Sequence, residues 1–215
     1  MSEAEYLDIF DDNMKHIGTA LRGDVHAKGL WHQTFHCWIV RRDGSKRFVL
    51  FQRRGPDKKL YPNALDITAA GHLLAGESPI DGIRELTEEL GIPASASDLV
   101  PMGVRTDVAI IGSVTNREFC HTYMLESNLE PRDYSLQQAE LSGLVEMDLG
   151  LGLELFSGAC AAVPVSGIQL GRNGQVQPLD IRVTTSDIIP RLDRYYLKVF
   201  IMAERYFNGD RRIGI

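Results

Sequence analysis

Three glutamates crowded behind a glycine-rich loop constrain this chain more than any other feature. Gly71-His72-Leu73-Leu74-Ala75-Gly76-Glu77 leads into Arg84-Glu85-Leu86-Thr87-Glu88-Glu89-Leu90-Gly91-Ile92. Like charges one turn apart on a helix repel by about 0.2–0.5 kcal/mol per pair. A purely structural helix gains nothing from that arrangement. A hard divalent cation gains a ready-made oxygen cluster, and such a cation commonly also contacts phosphate oxygens of a substrate.

The local pattern predicts a helix. Ser78 suits the cap, Pro79 the first helical position, and Asp81 the positive end of the dipole. Gly91 and Pro93 supply the stop. Ile83, Leu86 and Leu90 form one apolar stripe. Glu85 and Glu89 stack on another side with Glu88 beside them.

These residues resemble the Nudix box, Gly-x5-Glu-x7-Arg-Glu-U-x-Glu-Glu-x-Gly-U with U aliphatic. Gly71 to Glu77 matches its first half and Arg84 to Ile92 its second. One departure stands out: six residues rather than seven separate Glu77 from Arg84. The departure bears on the role of Glu77 and leaves the three helix glutamates intact. The resemblance implies an α/β fold of the Nudix type, an α/β/α sandwich with a mixed sheet. It also implies hydrolysis, dependent on Mg²⁺ or Mn²⁺, of a diphosphate linkage in a nucleoside diphosphate derivative or related compound. Glu85, Glu88 and Glu89 with the Gly71 carbonyl are the implied metal ligands. Glu88 and Glu85 are the candidate catalytic groups, with Glu140, just before a strand, as a further one. Arg84 is expected to pair with Glu77 and brace the loop. A non-catalytic nucleotide-binding module is the rival reading, although such modules usually lose one of the helix glutamates.

At 215 residues the chain suffices for one Nudix domain over 1–215, with a core of about 30–150 and an extension of about 151–215 packed on it. A net charge of −6 argues against a nucleic-acid partner. Basic residues do cluster at Arg41, Arg42, Lys46, Arg47, Arg53, Arg54, Lys58 and Lys59, which reads equally as a phosphate-facing patch or a charged hairpin. Arg53 and Arg54 are the candidate substrate contacts. Three widely spaced cysteines without a CxxC read as reduced thiols. Residues 1–12 carry no signal pattern, and no apolar run reaches the roughly 20 residues that cross a bilayer. A soluble, cytoplasmic protein with no membrane partner is expected, and a homodimer is left open.

Along the chain, residues 5–20 read as an opening strand and turn. Strands follow at 33–40, 47–53, 99–109, 118–125 and 141–147, with a strand or loop at 65–70 and a short helix at 153–158. A C-terminal hairpin over 164–181, turning at Arg172-Asn173-Gly174, precedes a long amphipathic helix from Ser186 to about Tyr206. Leu192, Tyr195, Tyr196, Val199, Phe200 and Ala203 lie on the helix's apolar face.

The histidines point to a second constellation. Val25-His26-Ala27-Lys28-Gly29-Leu30-Trp31-His32 and Ala70-Gly71-His72 resemble the isopentenyl diphosphate isomerase branch of the same superfamily. That resemblance implies a metal site of His26, His32, His72 and Glu118, whose donors suit Zn²⁺ or Mn²⁺. The isomerases carry a catalytic cysteine just before the Gly-His pair, and Ala70 occupies that place here. His36 and His121 read as satisfied polar residues. Substrate identity is not written in the box, because the loops outside it set specificity.

Overall fold

The computed structural model describes residues 4–58, 60–111, 114–171 and 173–215. In chain order the elements are β1 (Tyr6–Phe10), β2 (His16–Leu21), α1 (Arg22–Lys28), β3 (Trp31–Asp43), β4 (Lys46–Arg54), β5 (Leu65–Ile67) and β6 (Ala69–His72). Then come α2 (Arg84–Leu90), β7 (Leu99–Ile111), β8 (Val114–Glu126), β9 (Leu141–Asp148), α3 (Leu149–Ser157), β10 (Val163–Leu170), β11 (Val176–Val183) and α4 (Tyr195–Phe207).

Strand β3 organises the sheet. Its Trp31–Val40 stretch runs parallel to Arg117–Glu126 of β8. Its other edge is shared antiparallel by β1, β6 and β4. The order β11-β10-β9-β4-β3-β1-β2 extends one way, and β7 pairs with β8 on the other. One parallel pair among antiparallel ones makes the sheet mixed, as expected.

Alternation along β3 builds two cores. Trp38 and Val40 point into a cluster with Val199, Phe200 and Ala203 of α4 and Leu155 of α3. Phe35, Cys37 and Ile39 point the other way, onto Leu86 and Leu90 of α2. Both faces of the central strand are therefore buried, and its Cys37–Val40 stretch is continuously apolar rather than alternating. The result is helix, sheet, helix. Val199, Phe200 and Ala203 are wholly inaccessible. Burying a Val or Phe side chain contributes about 1.5–3 kcal/mol, enough to weld α4 into the core.

The C-terminal helix is shorter than its periodicity predicts. Ser186 lies in a 3-10 turn, Thr185–Asp187, where the Thr184 hydroxyl accepts from the Ser186 N–H. Pro190 follows, and a proline disfavours helical geometry in the residue before it. Residues 188–189 instead lie beside β5, with the Ile189 N–H on the Leu65 carbonyl at 3.0 Å. Leu192, assigned to the apolar face, is 90% exposed. The short helix expected at 153–158 begins earlier, at Leu149, because Asp148 caps it by accepting from Gly150 and Leu151. The hairpin of β10 and β11 forms; Arg172 of its turn, like Lys59 of the basic cluster, lies outside the described residues.

An ion network clasps the C-terminal segment to the sheet. Arg191 bonds Asp107 of β7, and reaches Asp66 of β5 at 3.3 Å. Arg105 bonds Asp107 at 2.8 Å and Asp193 at 2.9 Å. No helix among the described residues is long and apolar enough to cross a membrane.

Candidate active site and a histidine cluster

The acidic helix starts with a tighter turn than expected. Ser78 donates both its N–H and its hydroxyl to Asp81, at 2.7 and 2.6 Å, and opens a 3-10 turn over Pro79–Ile83. Regular α geometry begins only at Arg84. A 3-10 helix rises about 2.0 Å per residue against 1.5 Å in an α-helix, so the five residues after Ser78 advance about 10 Å, at least as far as six α-helical ones. The missing residue between Glu77 and Arg84 is absorbed in this way. The turn needs a glycine at 82, where a Cβ would stand 2.3 Å from the Phe35 Cβ. Arg84 then grips Glu77 with two bonds, Nε to Oε1 at 2.9 Å and Nη2 to Oε2 at 3.2 Å. It also donates to the His72 carbonyl at 2.9 Å, bracing the loop.

Glu85 and Glu89 are 3% and 4% exposed, an unusual burial for two neighbouring carboxylates. Glu85 lies flat against the Gly71 backbone, where a Cβ would fall 2.0 Å from its Oε1. Arg84 donates to it at 2.5 Å. Glu89 accepts the Ala70 N–H at 3.2 Å. Burial, and secondarily the charge of Glu85, pushes the Glu89 carboxyl well above its ordinary value, against the pull of the Ala70 N–H. Burial also raises Glu85, with Arg84 opposing. Glu88 stands at the exposed end, 3.4 Å from Arg84. All face a cleft of about 350 Å³ that Glu5, Gln137 and Glu140 also line. Two buried carboxylates whose charge is incompletely offset, in an all-oxygen donor set, fit a hard divalent cation.

Glu140 comes to this cleft from the start of β9 and is bonded by Lys58. That partnership was not legible in the sequence. Arg53 and Arg54 are turned elsewhere. Arg53 donates to the Asn63 carbonyl and to Gln169, and Arg54 donates to the Leu60 carbonyl and to Asp66, all at 3.3–3.4 Å. Both tie β4 to residues 60–66.

On the far side of β6, three imidazoles meet. His26 comes from α1, an element the sequence reading missed, His32 from β3 and His72 from β6. Ring centroids are 5.1–5.2 Å apart, and one nitrogen from each lies within 4.8 Å of the others. The outer nitrogens are fixed: His26 Nδ1 on Asn116 at 3.1 Å, His32 Nδ1 on the Leu30 carbonyl at 3.0 Å. Among the described residues, His26 Nε2, His32 Nε2 and both His72 nitrogens are buried without a hydrogen-bond partner. Glu118 reaches within 3.8 Å of His32. Burial first, then the neighbouring His32, lowers the His72 pKa well below the usual value, and that of His26 moves the same way. Idle inner nitrogens, with the outer nitrogens of His26 and His32 anchored to oxygens, fit a transition-metal ion. His36 has partners, Tyr195 OH at 3.3 Å and Thr34 Oγ1 at 3.4 Å. His121 departs from the satisfied-residue reading, since its Nε2 is buried without a partner among the described residues.

The comparisons agree with this geometry. The NUDIX domain family model matches residues 30–149. An uncharacterized Nudix hydrolase of Clostridium acetobutylicum is 40% identical over 201 residues, covering 94% of this chain and 97% of that protein. The chain therefore belongs to the Nudix hydrolase family. An isopentenyl-diphosphate Delta-isomerase of Corynebacterium diphtheriae is 32% identical over 94 residues, 43% of this chain and 50% of that one. Among solved structures, DR0079 from Deinococcus radiodurans superposes with a TM-score of 0.54 at 21% identity, over 72% of this chain and 90% of the other. That likeness concerns the fold.

Proposed function

We propose that the chain hydrolyses a diphosphate linkage in a nucleoside diphosphate derivative or a related small diphosphate compound, using Mg²⁺ or Mn²⁺. The observation that carries this reading is the buried Glu85–Glu89 pair, with Glu85 pressed on the Gly71 backbone and both carboxyls raised by burial. Glu85, Glu88, Glu89 and the Gly71 carbonyl would hold the ions. When bound, divalent cations offset diphosphate charge and make a bound water a better nucleophile. Glu88, at the open end of the cleft, orients water and accepts its proton; Glu140, bonded by Lys58 here, is the alternative acceptor. Arg84 does not touch substrate in this reading. It fixes Glu77, Glu85 and the His72 carbonyl, and so the loop that carries Gly71.

The histidine cluster is read as a second metal site, for Zn²⁺ or Mn²⁺, held by His26, His32, His72 and Glu118. Its unpartnered nitrogens support that reading. Hydrolysis is favoured over isomerisation because Ala70 offers no thiol for proton transfer at the position before Gly71-His72.

The test is monophosphate or phosphate release from a panel of nucleoside diphosphate derivatives, dinucleotides and isoprenoid diphosphates, with and without Mg²⁺ or Mn²⁺. Metal-dependent release names the substrate class. Folded protein that releases nothing from any compound, yet is stabilised by a nucleotide, contradicts the reading and favours a binding module.

A further inference from the structure

Beside the three imidazoles lies a second donor group that the hydrolytic reading does not use. His36, Glu118 and Cys120 are all buried, and each contributes one atom to a set lying within 4.8 Å of one another. The sheet makes this inevitable. In the parallel register His32 faces Glu118 and Thr34 faces Cys120, so His32, Thr34 and His36 of β3 share a face with Glu118 and Cys120 of β8. Glu118 sits between the two groups. Its Oε1 is 3.8 Å from His32 Nε2 and accepts from Asn116 at 2.7 Å, while its Oε2 is 3.7 Å from Cys120 Sγ.

Two observations point to a cation here. Glu118 is only 9% exposed, and among the described residues no arginine or lysine comes within salt-bridge distance of it. A buried carboxylate so placed is costly without a positive partner. The nearby Arg105 and Arg191 are already engaged by Asp107, Asp66 and Asp193. The second observation is geometric. Metal–sulfur and metal–oxygen bonds of about 2.3 and 2.0 Å at a tetrahedral angle separate the two donor atoms by about 3.5 Å, close to the spacing found here.

We propose that His36, Glu118 and Cys120 form a thiolate-containing position for a Zn²⁺-type ion, His36 giving up one of its two ring-nitrogen contacts, Thr34 Oγ1 or Tyr195 OH, to reach it, with Glu118 bridging it to the histidine cluster. The inference deepens the histidine-site reading and depends on it through Glu118. The mixed N, O, S donor set selects Zn²⁺ or Co²⁺ over Mg²⁺. On binding, the Sγ–H proton leaves for solvent as the sulfur–metal bond forms.

Metal-stripped full-length protein titrated with Co²⁺ gives the test, since a thiolate ligand adds a near-ultraviolet sulfur-to-cobalt charge-transfer band that histidine and carboxylate ligands lack. The expected result is that band in the wild type. It should be absent in Cys120→Ser, with bound metal falling by one equivalent, and should survive in Cys37→Ala/Cys160→Ala, which keeps Cys120. The double variant carries the test if Cys120→Ser fails to fold. Visible cobalt bands without charge transfer would overturn this inference and leave the histidine site standing. A band that persists in Cys120→Ser, or vanishes in the double variant, would also overturn it. No cobalt absorption at all would remove both sites.

Discussion

Glu85 Oε1 lies where a side chain on residue 71 would have to begin: a Cβ built on Gly71 falls 2.0 Å from that oxygen. The glycine of the loop and the glutamate of the helix thus form one unit, the backbone of one packed on the carboxylate of the other. Gly71→Ala should evict Glu85 and misplace the ligand set. Misplacement on the ångström scale costs about 10²-fold in rate, so kcat should fall by that order while the fold persists. Steady-state kinetics beside circular dichroism check this; an active Gly71→Ala variant contradicts the packing argument.

Gly82 performs a similar service for the 3-10 turn. A Cβ there meets backbone-anchored Phe35 Cβ at 2.3 Å, so neither partner yields by a simple rotamer change. Gly82→Ala should lose about 1–3 kcal/mol, the usual cost of overpacking, and should also loosen the Glu77–Arg84 grip that the turn sets up. Urea denaturation measures the first effect and Mn²⁺ affinity the second.

Asp107 gives the clasp its acid sensitivity. Burial raises its carboxyl, but Arg105 and Arg191 outweigh burial and hold it below the ordinary 3.8. A depressed carboxylate stabilises the fold fully above its unfolded value and loses that contribution as pH falls through the folded value. Stability should therefore drop on acidification below about pH 3.8. Asp107→Asn should remove that part of the acid limb. It should also cost about 3–5 kcal/mol at neutral pH, because buried Arg105 and half-buried Arg191 lose a shared partner. Unfolding midpoints across pH test both.

The histidine cluster should respond to metal and not to magnesium. Zn²⁺ at 100 times its dissociation constant stabilises a protein by about 2.7 kcal/mol when it binds only the folded state. The thermal midpoint of chelator-treated protein should rise with Zn²⁺, and His72→Gln should abolish most of the rise. An equal rise in that variant contradicts a site built on His72.

What the sequence disclosed follows short-range physics. The four-residue spacing of Glu85 and Glu89 puts both carboxylates on one side of a helix whatever surrounds it, and the Cys37-Trp38-Ile39-Val40 run reads as a strand buried on both faces. The α1 helix was invisible because Val25 is its one buried residue and no side chain caps it. Helical periodicity persisted across Pro190, although the backbone there pairs with β5. Arg53 and Arg54 stood out because charge can be read from sequence, whereas their bonds to the Asn63 and Leu60 carbonyls cannot. The meeting of His36 with Cys120 depends on the parallel register of β3 and β8, a long-range relation that neither strand declares.

The most direct test of the central claim compares wild type with Glu89→Gln on the best diphosphate substrate at saturating Mn²⁺, with Mn²⁺ binding followed by electron paramagnetic resonance in the same samples. The account predicts that the variant folds, loses Mn²⁺ from the cleft and falls by at least about 10²-fold in turnover, the scale on which a misplaced constellation acts. Unaltered turnover in a folded Glu89→Gln protein would place the chemistry somewhere other than the acidic helix.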